Sequence, residues 1–79
     1  MKVSIFLYGT FRDRFKDYQH HKGLDVELPT GALAKDILST LGISKGLGAV
    51  VIQNGRILKA DEIVREGMCF NIMQPIHGG

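Results

Sequence analysis

The sequence ends in "PIHGG", where Gly78 and Gly79 put a carboxylate at the end of a stretch with almost no side chain around it. A terminal carboxylate with a pKa of about 3.3 to 3.7 is an anion at neutral pH and repels nucleophiles. It reacts only after activation, and a glycine pair leaves room around its carbonyl for the groups that would activate and attack it. The same dipeptide also suits an end that simply frays. Residues 75–79, if extended, reach at most about 16 to 18 Å, enough to enter a narrow channel in another protein. Pro75 fits the launch point, because it restricts the backbone and cannot continue a strand ladder. The expected division is a domain over residues 1–74 and a flexible tail over residues 75–79.

Other residues offer less. Cys69 is the single cysteine, so no intramolecular disulfide is possible, and no Cys or His spacing suits zinc or an iron-sulfur cluster. His20 and His21 lack a third ligand at a sensible spacing, so no metal site is expected. Cys69 itself reads as a small packing residue in a strand. A lone thiol fits a reducing compartment, and the expected location is the cytoplasm. The opening "MKVSIFLYGTF" has the apolar run of a signal peptide, but Arg12, Asp13 and Arg14 follow at once without a small-residue cleavage site. No apolar run approaches the roughly 18 residues of a membrane span.

With 79 residues, 44% hydrophobic and 23% charged, the composition is that of one soluble globular domain with a modest core. The net charge of +2 comes largely from "RDRFKDYQHHK", where Asp13 and Asp17 interrupt the basic residues. A nucleic-acid footprint is usually a denser stripe, so this segment reads first as a solvated loop face.

The elements that must hold the tail follow from periodicity. Residues 2–8, "KVSIFLY", alternate Val3, Ile5 and Leu7 with Ser4, Phe6 and Tyr8, a strand that is apolar on both faces and belongs mid-sheet. "LDVEL" alternates Leu24, Val26 and Leu28 with Asp25 and Glu27, a strand with one wet face, expected antiparallel to the first. The connection between them is too long for a tight hairpin and has room for a helical turn in "TFRDRFKDY". In "PTGALAKDILSTLG", Leu33, Ile37, Leu38 and Leu41 form a helical stripe; Thr30 is the expected N-cap, Gly42 the stop, and about three turns lie between them. "AVVIQ" leads into Asn54-Gly55, the strongest short hairpin signal, and a return strand from Arg56 to Leu58. "MCFNIMQPI" is the last strand, with Phe70 and Ile72 on one face and Cys69, Asn71 and Met73 on the other.

One helix cannot cover both faces of five strands. The economical solution is an α+β domain: a mixed five-stranded sheet packed on one helix, its first and last strands parallel in the middle, which is the ubiquitin-like β-grasp. A ferredoxin-like split βαβ would need a second helix, for which residues 56–67 lack apolar periodicity.

In this order, "FRDRF", "LPTGALAKDIL", "VVIQNGRIL", the Glu66-Gly67 turn and the final Gly78-Gly79 resemble the ubiquitin-like sulfur carriers of the MoaD/ThiS family. The expanded residues 9–23 resemble the molybdopterin synthase small subunit more than the shorter thiamine-type carriers. The resemblance implies a protein substrate and sulfur carrier, not an enzyme, with no bound cofactor. An adenylating, ubiquitin-activating-like partner would use ATP to join AMP to the Gly79 carboxylate. A sulfur donor would then displace AMP to leave a thiocarboxylate. The acceptor would be a molybdopterin synthase large subunit or another sulfur acceptor enzyme, in molybdenum or tungsten cofactor biosynthesis.

Gly78 and Gly79 are therefore the expected reaction site. Alternation sends Phe6, Tyr8 and Met73 away from the helix, and Ile57 joins them from the hairpin, so these four, with Pro75, Ile76 and His77, are the expected partner-binding residues. Two alternatives remain at that patch: a docking surface, or a surface covered by residues 9–23. His77 is either a partner contact or a variable linker residue. Rival functions are a thiamine-type carrier, a ubiquitin-like modifier joined to lysines through Gly79, and a β-grasp interaction or RNA-binding module using Arg12, Arg14, Lys16 and Lys22. Neither a membrane nor a nucleic-acid partner is expected.

Overall fold

A computed structural model describes residues 1–75 of the chain. The order is β1 (Lys2–Leu7), a 3-10 segment (Gly9–Arg14), β2 (Leu24–Glu27), α1 (Ala34–Thr40), a second short 3-10 segment (Lys45–Leu47), β3 (Val50–Gln53), β4 (Arg56–Ile57) and β5 (Cys69–Met73). The strands form one sheet in the order β2-β1-β5-β3-β4.

β1 and β5, each of which buries an apolar face, sit in the centre of the sheet. β1 and β5 run parallel, with Ser4 opposite Cys69 and Leu7 opposite Ile72. β2 is antiparallel to β1, and β3 is antiparallel to β5. Val3, Ile5 and Leu7 of β1, with Phe70 and Ile72 of β5, are fully buried on the inner face against Ile37 of α1. Removing each such side chain from water stabilises the fold by roughly 1.5 to 3 kcal/mol before entropic costs. Phe11, from the 3-10 segment, closes the core at the end where β1 finishes.

The helix is shorter than the periodicity predicts. Thr30 does not cap it: Thr30 and Gly31 lie in a turn in which the Ala32 amide donates to the Pro29 carbonyl at 3.1 Å, and Leu33 is the N-cap. Residues 32–35 are drawn instead to the segment before β5. The Ala34 and Lys35 amides donate to the carbonyls of Glu62 and Ala60, the Val64 amide donates to the Ala32 carbonyl, and Leu33 bridges to Ile63. The exposed amides of the first turn are thereby satisfied by another part of the chain rather than by more helix. The Asp36 carboxylate adds to this by accepting from the Leu33 amide at 2.8 Å. Consequently Ala34 and Ile37 are buried, while Leu33, Leu38 and Leu41 are half-buried.

The stop is as expected. Gly42 takes φ +72°, its amide donates to the Ser39 carbonyl, and the Ile43 amide donates to the Leu38 carbonyl, the paired bonds of a Schellman C-cap. The hairpin also holds, with φ of 52° at Asn54 and 79° at Gly55, as a type I′ turn requires.

Candidate functional site

Because β1 and β5 are parallel, both finish at the same end of the sheet. The Tyr8 amide donates to the Ile72 carbonyl at 3.1 Å, so the chain just after β1 lies beside the last residues of β5. Pro75 follows β5 at that end and is half-buried. Gln74 is fixed there as well, its amide nitrogen donating to the Leu47 carbonyl at 2.7 Å. Ile76, His77, Gly78 and Gly79 lie outside the described residues. The expected tail of residues 75–79 therefore meets the structure only at Pro75.

The sheet's outer face is divided. Register places Lys2, Ser4, Asp25, Glu27 and Cys69 at one end, away from Pro75. At the other end, Phe6 pairs with Asn71, Met73 with Val50, Asn71 with Ile52, and Ile52 with Ile57. Phe6, Tyr8, Met73 and Ile57 thus share the outer face as expected, and they cluster toward the end where Pro75 leaves. Tyr8 is 36% exposed and Ile57 57% exposed, while Phe6 and Met73 are half-buried. Sequence reasoning missed Val50 and Ile52. Both lie in an apolar run whose alternation does not say which face is wet, and only the pairing with β5 and β4 assigns them outward.

Residues 9–23 cover part of this surface and leave part open. The His20 ring stands edge-on to Tyr8, with centroids 4.9 Å apart, and to Phe6 at 6.1 Å. Gly23, at φ +71°, passes so close that a Cβ there would lie 2.8 Å from the Ile5 carbonyl oxygen and 3.0 Å from the Phe6 ring. The Tyr18 hydroxyl accepts from the Leu7 amide at 2.8 Å and lies 2.9 Å from His20 Nδ1. His20 Nδ1 is therefore occupied by a protein partner. The outcome lies between the two sequence expectations: residues 18–23 flank both Phe6 and Tyr8, Phe6 and Met73 are half-buried, and Tyr8 and Ile57 keep exposed surface.

The reading of Cys69 as a packing residue is corrected. Its side chain is exposed, because the parallel register opposite Ser4 turns it to the wet end of the outer face.

The strongest electrostatic feature lies on the far edge. Arg56 donates two hydrogen bonds to Glu62, at 2.8 and 2.9 Å, and the Lys59 amide donates to the same carboxylate at 3.0 Å. The Arg56 bonds first, and then that backbone donor, hold the Glu62 carboxyl down at about 2. This pair fastens the segment after β4, which in turn holds the start of α1. No helix among the described residues is long and apolar enough to cross a membrane.

No protein-family model matches the chain, and no curated protein sequence matches it. Solved structures do. The crystal structure of SAMP1 from Haloferax volcanii superposes with a TM-score of 0.73 over 100% of both chains at 17% identity. The protein from Pyrococcus furiosus assigned as molybdopterin converting factor, subunit 1, gives a TM-score of 0.72 at 19% identity, covering 95% of this chain and 98% of that one. At such identities the likeness speaks to the fold, and over nearly every residue that fold is the ubiquitin-like β-grasp, the architecture that puts the chain's last strand in the centre of its sheet.

Proposed function

We propose that this protein is a sulfur carrier that reacts through its Gly79 carboxylate, serving as substrate and carrier rather than as catalyst. The observation that carries the reading is the parallel β1–β5 pair, which directs the chain toward Gly78 and Gly79 from the middle of the sheet, next to an open apolar surface. A partner enzyme can hold that surface while it works on the tail. The Gly79 carboxylate oxygen attacks the α-phosphorus of ATP and expels pyrophosphate. A hydrosulfide equivalent then attacks the acyl carbon, AMP leaves, and a thiocarboxylate remains; where the donor is a persulfide, a second thiol cleaves the resulting S–S bond. The proposed acceptor enzyme uses that sulfur in molybdopterin synthesis, a reading supported by the sequence resemblance and by the printed name of the Pyrococcus furiosus protein. Tyr8, Met73 and Ile57, with Pro75, Ile76 and His77, are the proposed partner contacts.

The test is intact-mass measurement after incubation with the host's adenylating enzyme, ATP and a sulfide donor. Exchange of one oxygen for sulfur at Gly79, abolished by an alanine appended after Gly79, supports the carrier. Larger covalent conjugates would assign the tail to protein modification instead. If neither product forms and the appended alanine leaves cellular function intact, the domain is an interaction module.

A further inference from the structure

Four of the ten Lys and Arg residues and two of the eight Asp and Glu residues fall in residues 9–22, so the rest of the chain carries six of each. The whole net charge of +2 thus belongs to one segment. That segment is anchored: Phe11 is buried in the core, Phe15 is half-buried, and the Tyr18 hydroxyl accepts from the Leu7 amide. On this fixed base Arg12 and Lys16, both exposed, line one shallow depression together with Gly9, Asp13, Phe15 and Tyr18. Neither cation forms an ion pair with a described residue, whereas Arg56 on the opposite edge is held by Glu62. The depression begins at Gly9, two residues beyond Leu7, which is registered with Ile72. It therefore flanks the end of the sheet from which Pro75 leaves.

We propose that the Arg12 and Lys16 depression is a docking surface for an acidic patch on the protein that acts on the Gly79 carboxylate, an inference that rests on the carrier reading. Unpaired cations on a rigid base lose little by accepting carboxylate partners, and charge complementarity at an interface rim raises the rate of encounter and sets orientation. Because the surface adjoins the tail's exit, contact there orients the tail toward the partner's active site. Asp13 separates a protein partner from a nucleic acid. A phosphate backbone presents a uniform row of negative charge that this carboxylate opposes, while a protein surface can place a Lys or Arg against it.

The experiment measures initial rates of adenylation and thiocarboxylate formation against carrier concentration with the host's adenylating enzyme, for wild type, R12E/K16E and R12Q/K16Q. Far-UV circular dichroism confirms that the variants fold. At about 50 mM salt, R12E/K16E should raise the half-saturating concentration by about tenfold or more with the maximal rate retained, and R12Q/K16Q by less. At about 500 mM salt the curves should converge, since screening then acts over only a few ångströms. Superimposed curves at both salt concentrations overturn the proposal while leaving the carrier reading intact. A wild type that the enzyme does not adenylate overturns the carrier reading and this inference with it. Binding of a labelled single-stranded oligonucleotide that R12E/K16E abolishes, with adenylation kinetics unchanged, would reassign the depression to nucleic acid.

Discussion

Gly23 shows how one residue shapes the proposed docking surface. It combines a left-handed backbone with contact against the Ile5 carbonyl and the Phe6 ring, and so lets residues 18–23 lie down on Phe6. Gly31 has a similarly positive φ of 89° but open space around it. Replacing each by alanine separates the two effects. Gly31→Ala should cost about 1 to 2 kcal/mol from backbone conformation alone. Gly23→Ala should cost roughly 1 to 3 kcal/mol more, because a backbone oxygen must shift to relieve the overlap. Urea unfolding midpoints of the two variants test this, and equal losses would show that the close approach to Phe6 carries no strain.

At the scale of elements, the segment from Leu58 to Val64 governs how the helix begins. It accepts hydrogen bonds from Ala34 and Lys35 and is closed on itself by Glu62, which binds Arg56 and the Lys59 amide. Glu62 has a folded-state pKa of about 2, below its ordinary 4.5, so its contribution to stability is present above about 4.5 and is lost as pH falls toward 2. Glu62→Gln should therefore be less stable than wild type at neutral pH. The difference should shrink below pH 4.5 and vanish near pH 2, as read from thermal unfolding at a series of pH values. Much of the pair is exposed, so the neutral-pH difference should also diminish at high salt. A difference that persists unchanged to pH 2 would assign the effect to packing rather than to the carboxylate's charge.

Over the whole molecule, the sheet buries one face in the core and leaves apolar side chains exposed on the other, the face proposed for partner binding. Ile72 points inward and is fully buried, while Ile57 on the edge strand points outward and is 57% exposed. Ile72→Ala should destabilise the domain by about 2 to 5 kcal/mol. Ile57→Lys should leave the unfolding midpoint within about 0.5 kcal/mol of wild type while weakening partner-dependent thiocarboxylate formation. Calorimetry together with the intact-mass assay checks both. An Ile57→Lys protein with unimpaired sulfur transfer would remove the β4 side of the sheet from the docking surface.

Much of this division can be read along the chain. Alternation groups Val3, Ile5 and Leu7 on one face of β1, and Phe70 and Ile72 on one face of β5, because a strand's faces alternate with a period of two whatever lies around it, and these are the side chains that are buried. Asn54-Gly55 and Gly42 determine a turn and a helix end because the required backbone angles depend on only a few neighbouring residues. The tertiary structure decided what depends on distant partners. It kept residues 31–33 out of the expected helix and tied the helix's first amides to residues 60–62, it turned Val50 and Ile52 outward by their register against β5, and it left Cys69 exposed at the wet end of the outer face. It also folded His20 and Gly23 partly across Phe6, a contact between residues that no local periodicity relates. Gly78 and Gly79 are stated by the sequence alone, and the tertiary structure adds the parallel central pair that determines where Pro75 departs toward them.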